Sequence, residues 1–191
     1  MIYSYIMSLT NSQVQKLERL KIKYKIFPTD TEIVLRGKKI RPNGAKAIAK
    51  GLPMITALES LDLSLNLIQD EGAEAIANAL KVNETVKHLS LDNNHIGVEG
   101  AKAIAKALEV NNTLEELVLS NNNNIGDEGA KAIAEALKNN TALKKLNLNF
   151  CWVSMEILKN ITAENNIITG FNSTIKWYGI KNFYFQPKLK F

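Results

Sequence analysis

Three side chains in this 191-residue sequence have the chemistry to act as a nucleophile, a general base or a soft metal ligand: His88, His95 and Cys151. A catalytic thiol needs a histidine close by to take its proton, and Cys151 has none in its own stretch of chain. A zinc site needs three or four ligands at defined spacings. His88 and His95 are near neighbours in sequence, but no third ligand stands at a suitable spacing. A phosphate-cradling loop is also missing. Gly44, Gly72, Gly100 and Gly129 recur at long, regular intervals, so packing explains them better than ligand binding. No catalytic residue, metal or cofactor is expected, and the chain is not expected to be an enzyme.

The regular intervals point to an internal repeat. Leu58, Leu61, Leu63, Asn66 and Ile68 are followed by Gly72, Ala73 and an alanine-rich run to Leu80. The pattern returns as Val86, Leu89, Leu91, Asn94, Ile96, Gly100, Ala101 and Leu108. It returns again as Leu114, Leu117, Leu119, Asn122, Ile125, Gly129, Ala130 and Leu137. The period is 28 residues, lengthened to 29 after Leu114 by one extra residue in the run Asn121–Asn124. A weaker copy starts near Asp30, with Lys38 at the asparagine position. Another starts at Leu143, with Cys151 there.

Each copy predicts the same elements. Leu61 and Leu63 alternate with polar residues, which predicts a short strand with one buried face. Asn66, Asn94 and Asn122 fall where the chain leaves the strand. An amide there can bond backbone groups of its own and neighbouring turns as a ladder, and the Cys151 thiol can pack and donate weakly in the same place. Asp70–Glu71 and Asp127–Glu128 suit helix N-termini. The alanines give a helix with a small inner face. Asn83, Asn111 and Asn139 suit left-handed C-caps. One unit cannot bury its own apolar face, so the units must stack, with parallel strands inside a curve, helices outside and right-handed crossovers.

This pattern resembles the ribonuclease-inhibitor type of leucine-rich repeat. It is similar to the repeat domain of NOD-like receptors and to the body of the Ran GTPase-activating protein. The resemblance runs from Asp30 to about Ile161. It implies an α/β solenoid, a short right-handed horseshoe, with a parallel sheet on the concave face and helices on the convex face. It also implies a protein ligand held on the concave face. The expected organisation is an N-terminal cap over 1–29, a repeat domain over 30–170 and an aromatic, basic cap or tail over 171–191. The repeat units are 30–57, 58–85, 86–113, 114–142 and 143–170.

Charge sets the alternative. The net charge is +5. Residues 1–29 carry a net +4 and residues 143–191 a net +5, while 30–142 carry a net −4. The ends are therefore where an anionic surface would bind. The last 21 residues interleave Phe171, Trp177, Tyr178, Phe183, Tyr184, Phe185 and Phe191 with lysines. They suit either a lid on the solenoid or a docking segment. A single cysteine rules out an intrachain disulfide and suits a reducing, cytoplasmic location. No apolar run is long enough to cross a membrane. No secretory signal peptide is expected, because the basic residues follow the apolar start.

Strand alternation defines the candidate binding face. One outward column is Glu32, Ser60, His88, Glu116 and Lys145. The next is Val34, Asp62, Ser90, Val118 and Asn147. The third is Arg36, Ser64, Asp92, Ser120 and Asn149. Beside it run Gly37, Leu65, Asn93, Asn121 and Phe150. These residues are expected to be free for contacts. Five strands make a face ~20–25 Å across, enough for an interface of ~800 Å² per partner. The expected function is a monomeric protein-binding module, either a cytosolic adaptor or a translocated microbial effector. The alternative is a weak nucleic-acid or anionic-membrane binder acting through the basic ends, without specific nucleic-acid recognition.

Overall fold

The computed structural model describes Phe27 and residues 29–161, together with the backbone of 162–165 and 168–169. The caps expected over 1–29 and 171–191 lie almost wholly outside the described residues.

Strand and helix alternate along the chain. They are β1 (Glu32–Val34), α1 (Pro42–Gly51), β2 (Ser60–Asp62), α2 (Gln69–Leu80), β3 (His88–Ser90) and α3 (Val98–Leu108). Then come β4 (Glu116–Val118), α4 (Gly126–Leu137), β5 (Lys145–Asn147), α5 (Met155–Asn165) and β6 (Ile168–Thr169). A 3-10 turn, Leu52–Met54, follows α1. All six strands form one sheet in chain order, and every pair is parallel. This is the leucine-rich α/β solenoid that the repeat predicts. The sheet has one short strand more than the five units supply, because β6 pairs Ile168 with Lys145. Among the described residues, no helix is long and apolar enough to cross a membrane.

The core is a single layer between sheet and helices. Leu61, Leu89, Leu117 and Leu146 pair across the strands and point into it. Leu63, Leu91, Leu119 and Leu148 make the row behind. Neighbouring helices approach through small residues. A Cβ added to Gly100 would sit 2.7 Å from Ile96 Cγ2, 2.6 Å from Asp70 Oδ1 and 3.2 Å from the Ala73 Cβ of the preceding unit. The glycine is therefore what lets α3 lie against α2.

Two polar seams stitch the units together. Along the first, the side-chain amides of Asn66, Asn94 and Asn122 donate to the carbonyls of Leu35, Leu63 and Leu91, one unit back, at 2.9 Å each. Cys151 Sγ donates to Leu119 O at 3.0 Å in the same place. The second seam runs under the helix C-termini. Asn111 Nδ2 donates to Leu80 O and Asn83 O at 2.7 and 3.0 Å. Asn140 Nδ2 repeats this with Leu108 O and Asn111 O. The Oδ1 atoms of Asn83, Asn111 and Asn140 each accept from two backbone N–H groups of the next turn.

This corrects the expectation of left-handed caps at Asn83, Asn111 and Asn139. The helices end at Lys81, Glu109 and Lys138 in right-handed geometry, and none of the three asparagines has a positive φ. The Asn83 and Asn111 amides bond buried backbone instead. In the fourth unit the extra residue shifts that role from exposed Asn139 to buried Asn140.

The strand-to-helix loops alternate between two forms. Units 1, 3 and 5 turn through left-handed Lys39, His95 and Trp152, while units 2 and 4 turn later, at Gln69 and Gly126. The later turn starts the helix directly before Asp70 or Asp127. Those carboxylates reach forward into the next unit. Asp70 Oδ1 accepts from the N–H groups of Gly97 and Gly100 at 2.6 and 3.0 Å, and Asp127 Oδ1 from Ser154 N–H at 2.6 Å. The acids thus cap a neighbouring helix as well as favouring the positive end of their own.

Candidate functional site

The outward strand residues stand in register across the sheet. Glu32, Ser60, His88, Glu116 and Lys145 are successive Cα partners, as are Val34, Asp62, Ser90, Val118 and Asn147. The backbone ladder continues past the strand ends, with Leu65 N–H on Asp92 O, Asn93 N–H on Ser120 O and Asn121 N–H on Asn149 O. Each column of outward side chains therefore has a fixed spacing. That fixed array, with few large side chains on it, is what a partner surface would meet.

The columns differ in how far their side chains are already engaged. In the first, Glu116 lies 3.5 Å from both His88 Nδ1 and Lys145 Nζ. These are half-exposed contacts, of small energetic weight. In the second, Asp62 Oδ1 accepts from Ser64 N–H and Asn147 Oδ1 from Asn149 N–H, each closing a local turn. Ser90 and Val118 make no side-chain hydrogen bond among the described residues, and Val34 is 56% exposed.

The third column departs from expectation. Ser64 and Ser120 are buried, at 0% and 7% exposure, so they are not free to meet a partner. The Arg36 guanidinium covers Ser64 and donates to its Oγ at 2.7 Å. The Ser120 hydroxyl donates to Asp92 Oδ1 at 2.7 Å, and Asn121 Nδ2 reaches the same oxygen at 2.8 Å. This column is a cross-strand polar row, and Arg36, Asp92 and Asn149 form its accessible top.

Beside it runs a rim that alternation alone does not describe. Gly37, Leu65, Asn93, Asn121 and Phe150 all have φ between 51° and 66°. Glycine and asparagine tolerate this backbone region; leucine and phenylalanine pay of order 1 kcal/mol or more to occupy it. Leu65 is nonetheless 40% exposed and Phe150 39%, with Trp152 at 59% in the adjacent turn. These are large apolar side chains of the kind that the strand face itself lacks. Leucine and phenylalanine at the position where other units carry glycine or asparagine was the sequence signal for this rim.

Burial pushes the Cys151 thiol up to about 12, the Asp92 carboxylate adds to the rise, and a backbone bond with Asn122 pulls the other way. No group of three His, Cys, Asp or Glu side chains among the described residues is placed to hold a metal ion.

Residues 31–168 match the family model of the TMOD/LMOD leucine-rich domain. A solved structure described as leiomodin-1 actin-binding site 2 superposes with a TM-score of 0.64 at 28% sequence identity, over 91% of this chain and 97% of that one. The C-terminal domain of a tropomodulin from Caenorhabditis elegans superposes with a TM-score of 0.60, over 82% of this chain and 92% of that one. At 16% identity that likeness is one of fold. No curated protein matches the sequence.

Proposed function

The chain belongs to the TMOD/LMOD leucine-rich-domain family, and from that membership we propose that it binds actin, through the concave strand face and its left-handed rim. The family's leucine-rich domain is an interaction fold, and the chain is not an enzyme. The repeat resembles the ribonuclease-inhibitor type in pattern, but the family that matches is the tropomodulin and leiomodin one. The leiomodin-1 structure, whose description names an actin-binding site, supports actin as the partner.

The observation that carries the reading is the sheet-wide register of Val34, Asp62, Ser90, Val118 and Asn147 beside exposed Leu65 and Phe150. A rigid array needs no ordering on binding, so less of the contact energy is lost to entropy. On this reading the chain is a monomeric, cytoplasmic adaptor, with one binding domain built from the five units between 30 and 170. A translocated effector would use the same face. The alternative of a nucleic-acid or membrane binder depends on the basic ends, 1–29 and 143–191, most of which lies outside the described residues.

Co-sedimentation with filamentous actin and anisotropy titration against labelled monomeric actin test the proposal. Binding of either form supports it. Absence of binding to both, by a chain that melts cooperatively, removes it.

A further inference from the structure

The repeat body is net acidic only on average. Unit 1 (30–57) holds Arg36, Lys38, Lys39, Arg41, Lys46 and Lys50 against Asp30 and Glu32. Unit 2 (58–85) holds Lys81 against Glu59, Asp62, Asp70, Glu71, Glu74 and Glu84. A surplus of four cations therefore lies directly beside a surplus of five anions.

Four of the unit 1 cations, Arg36, Lys38, Lys39 and Arg41, fall within six residues on the loop from β1 to α1, and all four are exposed. Lys46 is already held by Glu71 at 2.8 Å, and Arg36 spends one nitrogen on Ser64. Lys38, Lys39 and Arg41 form no ion pair among the described residues. Neither acid of the unit, Asp30 or Glu32, forms an ion pair with them among the described residues.

The loop is also pinned. Gly37 N–H bonds Ser64 O, Ile40 N–H bonds Asn66 Oδ1 at 3.0 Å, and Leu67 N–H bonds Ile40 O. Gly37 and Lys39 fix its course through left-handed turns. A solvated lysine run usually costs its partner the entropy of ordering it; here the backbone that carries the cations is ordered in advance.

We infer that this loop is a docking point for a short acidic segment of a protein partner. The inference rests on the reading of this domain as a protein-binding module, and it names the chemistry of one contact. An extended polyanion fits the place poorly. A nucleic acid or an anionic bilayer laid on the loop would also face unit 2, one strand spacing of ~4.8 Å further on, where Asp62, Asp70 and Glu71 flank the corresponding strand-to-helix loop. A run of a few Asp or Glu side chains can lie along the loop itself without crossing onto unit 2. The loop continues the rim, since Gly37 is the first residue of that left-handed column, so the acidic segment would sit at one end of the proposed interface.

The test uses the whole chain and a fluorescein-labelled hexaglutamate peptide, read by anisotropy at low and near-physiological salt. The expected result is measurable binding at low salt that weakens as salt rises. Reversing Lys38, Lys39 and Arg41 to Glu should weaken it about tenfold or more, by loss and then repulsion at three contacts. Reversing Lys188 and Lys190, in the basic end, should change it less than about twofold. Should the triple reversal fail to fold, the milder Lys38→Gln, Lys39→Gln, Arg41→Gln variant should still lose most of the binding. Peptide binding that is absent, that survives the triple change or that vanishes with Lys188 and Lys190 overturns the inference. So does tighter, loop-dependent binding of phosphatidylserine vesicles or single-stranded DNA. The actin experiment is separate. Loop-dependent peptide binding without actin binding removes actin and keeps this contact, and actin binding without peptide binding removes this contact alone.

Discussion

Leu61, Leu89, Leu117 and Leu146 stand side by side on four adjacent strands, and so do Ser60, His88, Glu116 and Lys145. The first row points into the core and is one residue type throughout. The second points outward and is four different types. In a stacked solenoid each unit's interior is the wall of the next, so a change in one must be matched by its neighbours. Outward side chains answer to no such neighbour. Repetition therefore encodes the fold, and the proposed partner contacts fall at places where repetition lapses on an outward position. Leu65 and Phe150 on the rim, and the basic loop of unit 1, are such lapses.

The comparison predicts large costs for inward changes. Leu91→Ala empties a fully buried position in the middle of the row and should destabilise the fold by roughly 2–5 kcal/mol. Chemical denaturation measures it, and an unchanged midpoint would place Leu91 outside the core. Asn111→Ala should cost nearly as much, about 2–4 kcal/mol. It strands the Leu80 and Asn83 carbonyls and the Thr113 and Leu114 N–H groups in a buried seam. A cost near zero would mean that water serves those groups equally well.

Smaller inward changes should follow in proportion. Gly100→Ala forces a methyl group against Ile96, Asp70 and the preceding helix and should cost about 1–3 kcal/mol. If thermal melting shows Gly100→Ala to be neutral or stabilising, α2 and α3 are not held in close approach. The Cys151 thiol gives the subtlest effect. Its folded value is raised to about 12, whereas an unfolded thiol ionises near ~8.5. Its contribution is whole below that unfolded value and is lost as pH climbs from there towards 12, because only the unfolded state then releases the proton. Cys151→Ser should make the alkaline fall in stability shallower than in the parent chain. Equal slopes would show that the thiol ionises as readily in the fold.

Sequence made the fold legible because the inward pattern repeats three times almost unchanged. Strand alternation likewise separated the inward row from the first two outward columns, those that begin at Glu32 and Val34. What it hid has local physical causes. Ser64 reads as outward by alternation, yet a long side chain from the neighbouring strand, Arg36, lies across it. Asn140 is masked by Asn139, and only the one-residue lengthening of the fourth unit decides which amide turns inward. The basic loop of unit 1 vanishes into the average charge of the body. The left-handed rim is invisible to periodicity, since a φ angle leaves no hydrophobic pattern.

The outward half of the comparison rests on the strand face. Ser90 and Val118 are register partners on β3 and β4, and neither spends its side chain on a hydrogen bond among the described residues. The Ser90→Arg, Val118→Arg double variant should leave stability within about 0.5 kcal/mol of the parent, while filling the centre of the face with bulk and charge. Anisotropy titration against labelled actin, run beside thermal melting of the same samples, is the decisive measurement. The account predicts a loss of affinity of about tenfold or more with an essentially unmoved melting temperature. Unchanged affinity in a variant that melts like the parent would contradict it and place the partner elsewhere on the molecule.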